Sequence, residues 1–116
     1  MKQKTFFTIL TDENFKEEVL QSHQPVLVQI SAEWSGGCQI MVPILERVVD
    51  KFNGQIKFAN LNFNGQGNVL REYSIYELPV FLLFDNGCVV DLIVGAVARE
   101  ILELSINEVL NKNMEV

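Results

Sequence analysis

The sequence predicts an α/β protein in three layers, with helices on both faces of a central mixed sheet. Three observations predict it. Short apolar runs rich in Val, Ile, Leu and Phe alternate with segments of helical period along the chain. The period changes at Ser35-Gly36-Gly37, between a run dense enough for a strand buried on both faces and a long amphipathic segment. Asp85-Asn86-Gly87 is a hairpin turn signal between two further runs, so one pair of strands is antiparallel.

Thr5 to Leu10 is a short β-rich run. Thr11 can then cap a helix that continues to about Ser22, with Phe15, Val19 and Leu20 as its apolar stripe. Val26 to Ile30, after Pro25, is a buried strand. Ile40, Met41, Ile44, Leu45, Val48, Val49 and Phe52 recur at helical spacing, which predicts a helix ending near Asn53-Gly54. Pro43 inside it removes one backbone bond and should bend the axis. Ile56 to Phe63 reads as a strand, Asn68 to Tyr73 as a short helix and Val80 to Phe84 as a strand. Cys88 to Val94 returns antiparallel, and Gly95 breaks it. Arg99 to Leu110 closes the chain as a helix whose apolar residues are Ile101, Leu102, Leu104, Ile106, Val109 and Leu110. The order is βαβαβαββα, and residues 1–116 are read as one domain.

Composition narrows the function. Hydrophobic residues make up 48% and charged residues 21% of the 116, an ordinary globular balance. A domain of this size buries roughly two-thirds of its unfolded-chain surface and needs no staples. Fifteen acidic residues against nine basic ones give a net charge of −6. Such a surface repels phosphate backbones and anionic lipid, so neither nucleic acid nor membrane is an expected partner. No run approaches the ~20 apolar residues of a membrane span. The apolar run near the N-terminus, about six residues, is too short for a secretory core region. Two cysteines, Cys38 and Cys88, are too few for a secreted disulfide scaffold. The expected setting is therefore reducing and cytoplasmic.

The chemistry is expected where the strand Val26–Ile30 meets the long helix, at Ala32-Glu33-Trp34-Ser35-Gly36-Gly37-Cys38. Sites in open α/β sheets gather at the carboxyl ends of strands, and a helix N-terminus adds a positive dipole that activates a thiol. Ser35 is a good N-cap, worth ~1 kcal/mol, with no histidine or carboxylate placed to activate its hydroxyl. Cys38, three residues further on, is expected to be a half-buried packing thiol. Cys88 should point outward, too far from Cys38 for a disulfide. His23 is read as a solvated loop residue. No His/Cys/Asp cluster has metal-ligand spacing and no glycine-rich loop suits phosphates, so neither metal nor cofactor is expected.

Val26-Leu27-Val28-Gln29-Ile30-Ser31-Ala32-Glu33-Trp34-Ser35-Gly36-Gly37-Cys38, followed by Pro43, resembles the active-site strand and helix of the thioredoxin family, whose signature is Trp-Cys-Gly-Pro-Cys. Leu78-Pro79-Val80-Phe81-Leu82-Leu83-Phe84-Asp85-Asn86-Gly87 is similar to the family's cis-proline strand and hairpin, and Val94-Gly95-Ala96 to its third active-site loop. The likeness runs in register from about residue 5 to residue 110. It implies a thioredoxin fold with a cis Leu78-Pro79 peptide beside Cys38. It also implies that an extended protein or peptide partner would lie in a groove at Trp34, Gly36, Gly37, Phe63, Leu78, Pro79, Val94, Gly95 and Ala96.

The departures from the family pattern carry as much information. Ser35 stands where the attacking cysteine is expected, while Cys38 keeps the place of the second. Gln29 and Asn60 stand where the family commonly has a buried aspartate and its lysine, so a proton relay has become two amides. Those amides are expected close together and hydrogen-bonded in the core. Glu77 replaces a common glycine, Ser31 a common tryptophan and Gly37 the motif's proline. The resemblance with these changes implies a protein without dithiol reductase activity, acting as a protein- or peptide-binding module in thiol-redox processes. Two alternatives stand beside it. One is a monothiol oxidoreductase using Cys38; the other is a genuine thioredoxin in which Ser35 was engineered from cysteine.

Overall fold

The computed structural model describes residues 7–64 and 67–114. Five strands form one mixed sheet: β1 (Thr8–Leu10), β2 (Val26–Ser31), β3 (Lys57–Asn62), β4 (Val80–Asp85) and β5 (Cys88–Val94). Their spatial order is β1-β3-β2-β4-β5. β3 runs parallel to β1 and β2, whereas β4 runs antiparallel to both β2 and β5. Three α-helices, α1 (Gly36–Phe52), α2 (Asn68–Glu72) and α3 (Arg99–Met114), accompany them. This is the three-layer arrangement that the alternating pattern predicts. Thr5 and Phe6, placed in the first strand from sequence, lie outside the described residues.

The pleat divides the core. Along β2, Leu27 faces a cluster with Met41, Leu45 and Phe52 of α1 and Leu102 and Ile106 of α3. Val26, Val28 and Ile30 face the other side, with Phe15, Val19, Leu70 and Phe84. A strand buried on both sides has no solvent face, which is why Val26–Ile30 is apolar at every position except the buried Gln29. β5, at the sheet edge, is mostly exposed.

Two elements differ from the sequence reading. Thr11 does cap a helical segment: the Asn14 amide donates to its hydroxyl at 3.1 Å, and the Asn14 side chain accepts from the Thr11 amide at 2.7 Å. The segment then winds as a π-helix over Lys16–Leu20, closed by a Gln21 amide to Lys16 carbonyl bond of 2.9 Å, and stops short of Ser22. The Glu18 carbonyl accepts instead from the Lys57 ammonium at 2.8 Å, and Ser22 turns its hydroxyl onto the Gln24 backbone. Those local bonds end the helix early. α3 runs on to Met114 because no Gly or Pro follows Leu110 to stop it. Its buried stripe is narrower than its apolar content: Leu102, Ile106 and Val109 are buried, while Ile101 and Leu104 are exposed.

α2, only five residues long, is held by Asp12. The Asn68 and Val69 amides donate to its two carboxylate oxygens at 2.9 and 3.2 Å. These two bonds, the one from Asn68 foremost, hold the Asp12 carboxyl below its ordinary value of 3.8. A depressed value means that the cap is present above the ordinary carboxylate range and is lost as pH falls through the lowered value. In an NMR titration from about pH 5 to about pH 2, the Asn68 and Val69 amide shifts should move with a midpoint below 3.8. A midpoint at or above it would contradict the cap.

Candidate functional site

The site lies where β2 hands over to α1. The Ser35 backbone is extended (φ −86°, ψ 120°), and its hydroxyl accepts from the Cys38 amide at 3.3 Å, which makes it the N-cap of α1. The turn before it is tied by the Ser35 amide to the Ala32 carbonyl at 3.1 Å and by the Gln39 side chain to the Glu33 carbonyl at 2.9 Å. Ser35→Ala should lower stability by about 1 kcal/mol, measured by urea denaturation; no change would mean that the hydroxyl bond contributes nothing net. Ser35 is itself buried, at 8% exposure. Cys38 is also buried, at 6%, not half-buried as the sequence suggested. The first turn of α1 is pressed onto the chain around Pro79 rather than standing clear of it.

That contact explains Gly37. A Cβ built there would come within 3.1 Å of the Pro79 ring and 3.6 Å of the Leu78 carbonyl oxygen. The Leu78–Pro79 peptide is cis, and the Pro79 carbonyl accepts from the Gly95 amide at 2.7 Å. Gly95 takes φ +91°, a conformation that glycine adopts at little cost. The next loop residues reach α1 through the Val97 amide, 3.4 Å from the Met41 sulfur. Trp34 is 73% exposed, its ring edge-on to Phe63 at 6.4 Å between centroids. Gly36 and Ala96 are exposed and Leu78 is partly buried. The structure thus gathers Trp34, Ser35, Gly36, Gly37, Cys38, Phe63, Leu78, Pro79, Gly95 and Ala96 at one end of the sheet. Val94, at the end of β5, pairs with Val80 next to Pro79.

Gln29 and Asn60 are register partners on adjacent strands, on the face that carries α1 and α3. Gln29 is buried at 3%. Asn60 is only partly buried, and its amide oxygen accepts the Ser31 hydroxyl at 2.8 Å. The expectation of two buried amides is corrected on this point. Ser31 lies two residues beyond Gln29 on the same face of β2, and its short hydroxyl reaches Asn60 across the parallel pair. Sequence reasoning noted Ser31 as a departure from the family pattern and missed this bond. It also placed Ile40 in the apolar stripe of α1, where it is 60% exposed. Ile40 is one residue, about 100° of helix, away from the buried Met41.

The two cysteines are free, Cys38 buried and Cys88 exposed. Cys88 opens β5 opposite Asp85, whereas the Pro79 end of β4 pairs with Val94. Six strand residues separate these ends, roughly 20 Å of extended chain, well beyond disulfide reach. Among the described residues no group of three His, Cys, Asp or Glu could hold a metal ion, and no helix is long and apolar enough to cross a membrane.

This tip, with a helix N-cap against a cis proline and a glycine loop, sits on a fold that sequence comparison identifies independently. The sequence profile of the thioredoxin family matches residues 6–108. Thioredoxin 1 of Nostoc sp. is 35% identical over 99 residues, spanning 85% of this chain and 92% of its own. Thioredoxin of Synechocystis sp. is 34% identical over 101 residues, 87% of this chain and 94% of its own. Thioredoxin of Rickettsia felis is 40% identical over 78 residues, 67% and 74% of the two chains. The protein described here belongs to the thioredoxin family.

Proposed function

We propose that this member of the family binds extended protein segments at its tip and has lost dithiol–disulfide exchange. The observation that carries the reading is Ser35 as N-cap of α1, with Cys38 as the only thiol near it among the described residues. Exchange needs two thiols in succession. A thiolate attacks the substrate disulfide and forms a mixed disulfide; the second thiol then attacks that bond, releasing the reduced substrate and closing a disulfide within the enzyme. A serine hydroxyl provides no comparable anion at neutral pH, and oxygen forms no disulfide, so the first step is missing. Gln29 and Asn60 are consistent with this, because a site that moves no protons has no use for a buried carboxylate.

Thioredoxins bind protein substrates, and here the same tip keeps its contact surface. Trp34, Gly36, Gly37, Leu78, Pro79, Gly95 and Ala96 are apolar or small, and they suit an extended segment laid beside Pro79. No cofactor is needed for that role. The chain's acidity disfavours nucleic acid, and two unpaired cysteines fit a reducing, cytoplasmic setting.

In an insulin-reduction assay with dithiothreitol, the chain should add nothing to the rate of the reductant alone. Reduced and alkylated insulin B chain should perturb the fluorescence of Trp34, the single tryptophan. Turnover like that of an ordinary thioredoxin would overturn the loss of exchange. No fluorescence change up to about 1 mM peptide would overturn binding. The relatives' shared name favours one second reading: a protein-disulfide reductase by descent, with Ser35 substituted for an original cysteine. A monothiol role for Cys38 is opposed by its burial. Native-state alkylation of Cys38 at a rate near that of the exposed Cys88 would revive it.

A further inference from the structure

β5 ends the sheet, with β4 on one side and none of the described residues paired on the other. Such an edge offers a row of N–H and C=O groups to any further strand. Its residues, Cys88-Val89-Val90-Asp91-Leu92-Ile93-Val94, include no Lys, Arg or Pro of the kind that commonly blunts an edge. Val90, Leu92 and Val94 are 48%, 54% and 44% exposed. The ladder with β4 passes from Leu83–Asp91 to Phe84–Val89, so Val90 lies in a β-bulge and the regular edge runs from Asp91 to Val94. An antiparallel pairing with a second copy, centred on Leu92, would set the two Leu92 residues opposite each other and bring Val94 of each copy against the bulged Val90 of the other. The edge is therefore self-complementary in the sense that a two-fold dimer requires.

Asp91 obstructs that pairing. In an antiparallel ladder a residue turns its N–H and C=O both towards its neighbour or both away. The Gly95 amide donates to the Pro79 carbonyl, on the β4 side. Steps of two place Ile93 and Asp91 inward and Leu92 and Val94 outward. The outward Leu92 amide donates at 2.9 Å to Oδ1 of Asp91. Oδ2 of the same carboxylate accepts at 2.5 Å from the hydroxyl of Ser105, a buried residue of α3.

We infer that Asp91, held by Ser105, is an edge guard that prevents β5 from pairing with β5 of a second copy. Its carboxylate occupies the amide at the centre of the pairing register. An incoming strand must displace a charge-assisted hydrogen bond, stronger than the neutral ladder bond that would replace it. It must also bring two Asp91 carboxylates onto one face as diagonal neighbours.

Sedimentation velocity over a concentration series, with the whole chain, tests this. Asp91→Ala should form a dimer whose population rises with concentration, and adding Val90→Lys should return it to monomer. The wild type should show no association that Val90→Lys removes. Ser105→Ala keeps the test open if Asp91→Ala does not fold: at dilution its Leu92 amide should exchange hydrogen roughly tenfold faster than in the wild type. A monomeric Asp91→Ala at every concentration would overturn the guard. So would wild-type pairing abolished by Val90→Lys, or an unchanged Leu92 exchange rate in Ser105→Ala.

Discussion

Ser35→Cys is expected to reduce insulin on the order of a hundredfold faster than the wild-type chain does with the same reductant, since the second thiol attacks within the same molecule. The new thiol would sit at the N-cap of a seventeen-residue helix, where the amides of the first turn and the dipole favour a thiolate. Cys38 lies one turn further along, bonded through its amide to the residue being replaced. The thiolate would take one sulfur of the substrate disulfide. Cys38 would then displace it, the substrate would leave as two thiols, and dithiothreitol would reduce the disulfide left behind. Gln29 cannot accept the Cys38 proton as a carboxylate would, so the variant should remain slower than an ordinary thioredoxin. Sulfur is a weaker hydrogen-bond acceptor than a hydroxyl oxygen, so part of the cap contribution should also be lost. If Ser35→Cys and the wild type both leave insulin untouched, the missing nucleophile is not what silences the tip.

Phe81→Ala should have the largest effect on stability, a loss of about 3–5 kcal/mol. Phe81 is 1% exposed at the middle of β4, opposite Gln29 on β2 and Ile93 on β5. It belongs to the cluster that joins Leu27, Met41 and Leu45 to Leu102 and Ile106, so truncation opens a cavity that strands on both sides keep from collapsing. Against a typical total of 5–15 kcal/mol this is a large fraction. Urea denaturation should show a lower midpoint at unchanged slope. The exposed Cys88→Ser, at the far end of the sheet, should change stability by less than about 0.5 kcal/mol. A loss below about 1 kcal/mol for Phe81→Ala would contradict the packing described here.

Most of the fold is legible in the sequence because its signals are periodic and redundant. Val26 to Ile30 could not be a solvated strand, and Asp85-Asn86-Gly87 could hardly be anything but a tight turn, with Asn86 at φ 53° and Gly87 at φ 81°. The π-helix at Lys16–Leu20 was not legible, because it depends on Lys57, distant in sequence, taking the Glu18 carbonyl. At the tip, Ser35 was legible as a helix N-cap, but the burial of Ser35 and Cys38 did not follow from their identity. It depends on how closely Gly37 lets the helix approach Pro79, a distance set by two segments far apart in the chain. Asn60 shows the same limit. Its pairing with Gln29 followed from strand register, while its hydrogen bond went to Ser31, whose hydroxyl lies within reach on the same face.

The most direct measurement is the intact mass of the native chain after equilibration with oxidised dithiothreitol. With Ser35 in place of a thiol and Cys88 at the opposite end of the sheet, no molecule should lose two hydrogens to an internal disulfide. A species lighter by two hydrogens, with Cys38 linked to Cys88 in its peptide map, would contradict the account.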